Sequence, residues 1–138
     1  MVSTKQKKTI ELKDLRANIS VKNFESKGIS IKAFVLDRIK SKLPDNLVIG
    51  KTKKDNHSFF EIIASKCQKE KEFLNSELPI LELIFRILLL RKNNPTKMKE
   101  LYRVISDELA TPYRPMTISM VQLISQISRD NYYSLVIL

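Results

Sequence analysis

A mainly helical domain with one or two short strands is the fold class that this sequence predicts, and three observations predict it. The first is Leu78 to Leu90, where ten of thirteen residues are large and apolar and fall on every side of a helix. A rod that is apolar all round has to be enclosed. At 1.5 Å per residue it reaches about 20 Å, short of the ~30 Å core of a bilayer. Glu82 and Arg86 within it also sit four apart, in the order that pairs favourably on a helix and that lipid would penalise. The expectation is therefore a central core helix. The second observation is helical spacing elsewhere, as in Ile31, Phe34, Val35, Ile39 and Leu43. The third is composition: 43 % hydrophobic residues with two glycines and five prolines in 138 residues, enough for one compact domain or a domain with an arm.

Taken in order, residues 1–8 read as a basic arm carrying Lys5, Lys7 and Lys8. Thr9 to Leu12 alternates polar and apolar, a possible strand. Lys13 to Lys27 fits neither period and is read as helix. Gly28 breaks the pattern, and Ser30 suits the N-cap of a helix carrying the Ile31–Leu43 stripe. Lys32, Arg38, Lys40 and Lys42 are expected on its outer side, and Pro44-Asp45-Asn46 closes it. Leu47–Ile49 is a short strand or a plug on the core, and residues 51–56 form a basic turn. Ser58 with Glu61 suits a capping box for a helix burying Phe59, Phe60, Ile62, Ile63, Cys67 and Leu74. Glu77 and Pro79 suit the first turn of the central helix. Asn93-Asn94-Pro95 separates it from an amphipathic helix with Met98, Leu101, Tyr102, Ile105 and Leu109 inward. Thr111 to Pro115 is a rigid connector. Thr117 is expected to cap a helix to Ser128 or Arg129, with Met120, Val121, Leu123, Ile124 and Ile127 on its apolar side. Tyr132 to Leu138 is strongly β-prone. The division into units is 1–56 and 57–138, or one continuous domain from about residue 9.

The formal charge is +10. Residues 1–56 hold 14 Lys+Arg against 6 Asp+Glu, while 57–138 hold 11 against 9, so the basic half is the N-terminal one. With 18 lysines to 7 arginines, the excess suits nonspecific phosphate contact more than base reading. An A+T-rich gene would raise Lys, Asn and Ile together and is the other source of such an excess. Cys67 is the one cysteine, so no intramolecular disulfide forms and a reducing compartment fits. No apolar run follows Met1–Lys5, and a cytoplasmic location is expected.

Catalytic and metal chemistry are not expected. His57 is the one histidine and lies ten residues from Cys67, with no further ligands at metal spacing. Cys67 falls on an apolar face and reads as a buried thiol. Gly28 and Gly50 cannot form a phosphate-cradling loop. The reading is a non-enzyme without cofactor, metal or membrane role.

From the central helix onward, the order is helix, helix, connector, helix with a polar face, strand. Residues 78–138 thereby resemble the winged helix-turn-helix superfamily. The resemblance implies a DNA-binding module whose third helix enters the major groove. Its reading face would be Ser119, Gln122, Ser125, Gln126 and Arg129. Lys97, Lys99, Arg103, Arg114 and the N-terminal Lys5, Lys7 and Lys8 would contact phosphates. The segment departs from the pattern in offering a single strand with no returning partner. Thr9–Leu12 with Gly28–Ser30 and Ala33–Val35 also resembles the ribbon–helix–helix family, which would make Thr9, Glu11 and Lys13 readers. The competing function is a protein–protein interaction or assembly module, in which the same helix face meets protein. The apolar Leu135–Leu138 strand then supports a homodimer if its edge is unpaired.

Overall fold

The structure, a computed structural model, describes residues 12–39, 56–70, 72–109 and 117–138. Its sheet is organised on β1 (Arg16–Ile19), with β2 (Thr96–Lys97) on one side and β3 (Leu135–Ile137) on the other, both antiparallel to it. Arg16 faces Lys97 and Ala17 faces Thr96; Ala17 faces Ile137, Asn18 faces Val136 and Ile19 faces Leu135. The helix expected over Lys13–Lys27 is thus a strand followed by a short helix. Ala17 and Ile19 alternate inward, the period of a pleated strand. Ala17 is too small to register as a hydrophobic signal, so that alternation is faint in the sequence. A 3₁₀ turn, Leu12–Asp14, precedes β1 and packs against the fifth and sixth helices. Of the ribbon–helix–helix positions, Thr9 and Glu11 lie outside the described residues and Lys13 is in this turn.

Helix α1 (Val21–Ser26) is capped by the Ser20 hydroxyl, which accepts from Asn23 N at 3.2 Å. Gly28 turns the chain at φ +69°, a conformation in which a side chain would be strained. Ser30 caps α2 (Ile31–Leu36) as expected, accepting from Ala33 N at 3.2 Å. Residues 40–55, with Leu43 and the expected Leu47–Ile49 strand, lie outside the described residues. Helix α3 (Asn56–Cys67) begins two residues before Ser58, which therefore lies in its first turn. Phe59, Phe60, Ile63 and Cys67 are buried as expected; Leu74 lies beyond the helix, and Phe73 is buried instead.

Helix α4 (Ile80–Leu90) is the enclosed rod, with Leu83, Ile84, Phe85, Ile87, Leu88 and Leu89 buried. One hydrophobic cluster joins it to β1, α1, α2, α3 and the later helices. α4 ends in a left-handed reversal: Lys92 N donates to Leu89 O and Asn93 N to Leu88 O, with φ +60° and +58° at the two residues. These bonds satisfy the last free carbonyls of the helix. The Asn93 side chain then clamps β1. Its Oδ1 accepts from Ile19 N at 2.7 Å and its Nδ2 donates to Ile19 O at 2.9 Å, extending a ladder that β2 is too short to complete. Helix α5 (Met98–Arg103) continues as a π-helical turn over Val104–Glu108. Met98, Leu101 and Ile105 are buried. Helix α6 (Met120–Arg129) follows, capped by Ser119 rather than Thr117.

A buried ion cluster fastens α2 to α4. Glu82 accepts from Arg38 Nε and Arg86 Nε, both at 2.7 Å, and from Arg38 Nη2 at 3.1 Å. The expected Glu82–Arg86 pair is present. Arg38, expected on the outer face of its helix, turns inward: its guanidinium lies 4.0 Å from the Phe34 ring and donates to Phe34 O at 2.7 Å. A planar cation that can stack on aromatic faces is drawn in by Phe34, Phe85 and Tyr133. Burial alone would raise the Glu82 pKa, but hydrogen bonds from Arg38 and Arg86 overcome it and hold the carboxyl below its ordinary value. Among the described residues, no helix is long and apolar enough to cross a membrane.

Candidate nucleic-acid interface

Helix α6 is anchored from both ends. At its start, the Tyr102 hydroxyl of α5 donates to Ile118 O at 2.8 Å. At its end, the Asp130 carboxylate accepts from Tyr132 N and Tyr133 N, both at 3.0 Å, and from Leu135 N at 2.8 Å. One side chain thus turns the chain directly from α6 into β3. Leu123 and Ile127 are buried, while Met120 and Ile124 are half-buried. Val121, expected on the apolar side, is 62 % exposed. At ~100° per residue it lies on the edge of the stripe, and packing of α6 against α5 and β3 leaves that edge in solvent.

Of the sequence-predicted readers, Gln126 and Arg129 are exposed and Ser125 is half-buried. Ser119 and Gln122 are exposed but occupied with one another. Ser119 Oγ accepts from Gln122 N at 3.1 Å, and Gln122 Oε1 accepts from Ser119 N at 2.9 Å. This reciprocal capping box satisfies two backbone donors at the helix start and spends the Gln122 acceptor that bidentate adenine contact would need. The signal for it was present, since Ser followed three residues later by Gln is its signature. Ser128 is also exposed, but it lies seven residues from Val121 on the other flank of the helix rather than beside Gln126.

The expected phosphate contacts are unequal. Lys99 is exposed, and Lys97 in β2 lies 4.0 Å from Asp14. Arg103 is committed, with Nη2 at 2.6 Å from Glu100 and Nη1 at 3.5 Å from Glu108. Arg91 reaches the same Glu100 at 3.1 Å. Hydrogen bonds from Arg103 and Arg91 hold the Glu100 carboxyl down to about 2. Arg114, Lys5, Lys7 and Lys8 lie outside the described residues. The turn Leu12–Asp14 rests on α5 and α6.

No group of three or more His, Cys, Asp or Glu residues that could hold a metal ion occurs among the described residues. Burial pushes the Cys67 thiol up to about 12, the Glu70 charge adding to it. The chain matches no protein-family model, no curated protein sequence and no solved structure.

Proposed function

We propose that this chain is a small nucleic-acid-binding protein, with duplex DNA as its partner, built on a winged-helix-like module that presents α6. The observation that carries the reading is the two-sidedness of α6: Leu123 and Ile127 in the core, Gln126 and Arg129 in solvent. The order α4, β2, α5, α6, β3 supports it, and so does the pairing of β3 with β1. That pairing gives β3 the partner which the C-terminal half lacks, from a segment more than a hundred residues earlier.

In this reading Gln126 bonds adenine, Arg129 favours guanine and Ser125 bonds either base type. Ser119 and Gln122 hold the helix start rather than read bases. Lys97 and Lys99 contact phosphates, joined by Lys5, Lys7 and Lys8 from a segment whose eleven residues span at most ~40 Å when extended. Phosphate-driven binding falls linearly with salt on a log–log plot. Titration of a duplex between about 50 and 200 mM salt should show a steep negative slope. Gln126→Ala with Arg129→Ala should relax sequence choice at that slope, and loss of the three lysines should weaken every sequence and flatten it. Undetectable binding at low salt rejects the proposal.

The second reading is a protein-interaction or assembly module, and the exposed Val121 and Leu138 favour it. Because β3 already pairs with β1 inside the chain, an assembly through that strand would have to use its other edge. Removal of residues 133–138 followed by light scattering tests this, and an unchanged monomer rejects it.

A further inference from the structure

We propose that the groove between the end of α4, β2 and the start of α5 binds a phosphorylated small molecule carrying a chain of two or more phosphates. The groove has a volume of about 570 Å³, within the ~300–1,000 Å³ typical of small-ligand sites. Four cations line it, Arg91, Lys92, Lys97 and Lys99, against the single carboxylate of Glu100. That carboxylate is shared by Arg91 at 3.1 Å and by Arg103 at 2.6 Å, so it does little to neutralise the lysines. Lys92 and Lys99 are exposed and have no ion pair among the described residues. A shallow depression dense in one sign raises the local potential, and an anion relieves the repulsion across it.

The backbone that carries these cations is fixed by local bonds. Lys92 occupies the left-handed position after α4 at φ +60°, where glycine or asparagine is cheaper by about 1 kcal/mol. Next to it, Asn93 is locked to Ile19 through two hydrogen bonds. The Thr96 hydroxyl donates to Asn94 O at 2.9 Å. Lys92 and Lys99 by themselves match the roughly two negative charges of one phosphate group; Arg91 and Lys97, each beside a carboxylate at 3.1 and 4.0 Å, add the charge that a second phosphate would meet. Leu90 and Pro95 in the lining offer an apolar wall for the rest of such a ligand. A duplex backbone brings one charge per phosphodiester and would leave the groove unfilled.

Sodium tripolyphosphate, orthophosphate and a short duplex are the probes, titrated calorimetrically at low salt into the whole chain. The expected result is saturable one-to-one binding of tripolyphosphate, with orthophosphate more than about tenfold weaker. Lys92→Gly with Lys99→Gln should weaken tripolyphosphate about twentyfold or more, at roughly fivefold per cation near the surface. The same variant should keep or raise its urea midpoint, because glycine relaxes at φ +60°, so lost binding cannot be ascribed to unfolding. No heat with tripolyphosphate at about 1 mM overturns the proposal. So does a variant that binds it as the parent does, since the N-terminal lysines would then hold it. A variant impaired only towards the duplex, with tripolyphosphate inert in both proteins, assigns the groove to nucleic acid and overturns it too. Failure of the duplex alone leaves this inference standing.

Discussion

Glu82→Gln tests how the ion cluster holds the N-terminal helices to the centre of the molecule. The side chains of Glu82, Arg38 and Arg86 are 9 %, 11 % and 16 % exposed, and the shortest contact of each arginine to the carboxylate is 2.7 Å. An amide of the same shape keeps the volume but leaves two guanidinium cations facing a neutral group in a nearly dry site. Removing one partner of a buried pair costs about 3–5 kcal/mol, chiefly because the remaining charge is uncompensated. Against a total of roughly 5–15 kcal/mol for a domain, that is a large share. At about 3–5 °C per kcal/mol for a chain of this size, Tm should fall by roughly 10–20 °C. Urea unfolding followed by circular dichroism measures it, with an unchanged m-value marking intact compactness. Arg86→Met added to the variant should recover part of the loss by removing one stranded cation. A loss below about 1 kcal/mol, the range of solvent-exposed pairs, would refute the account of the cluster as buried and interdependent.

Three further outcomes follow from the same contacts. The Glu82 carboxyl is held below its ordinary 4.5, with burial opposing and the two arginines prevailing. Its contribution is therefore full above that unfolded value and lost as pH falls through the folded one. The urea midpoint should be flat from about pH 7 to 5 and decline below about 4.5, and Glu82→Gln should blunt that decline; an identical profile in both proteins would contradict it. Asn93→Ala strips both partners from the backbone of buried Ile19 and places alanine at φ +58°. At about 1–3 kcal/mol per stranded buried group, it should cost roughly 3 kcal/mol in urea and speed amide exchange at Ile19; a loss under 1 kcal/mol would reject the clamp. Cys67 is buried with its thiol raised to about 12, so an aromatic disulfide reagent should label it only on unfolding, and rapid labelling of the native protein would count against its packing.

Local periodicity alone determined much of this protein. The enclosure of α4, the inward faces of α3 and α5, the Ser30 cap and the strand at the C-terminus follow from spacing and residue type within a dozen neighbours. So does the two-sided character of α6, though its cap moved from Thr117 to Ser119 and drew Gln122 away from the reading face. Only the tertiary structure decided what depends on distant partners. Arg16–Ile19 is a strand because Thr96–Lys97 and Leu135–Ile137 come to lie on either side of it, and one isoleucine with one alanine cannot announce that. Arg38 is interior because Phe34, Glu82 and Tyr133 converge on it from three segments. Asn93 is a clamp because an unfinished β2 leaves Ile19 in want of partners. Val121 is exposed because α5 and β3 cover only part of the apolar arc. A stripe of side chains states that a surface will be buried; which atoms meet it, and where the cover ends, is set by the packing of elements far apart in the chain.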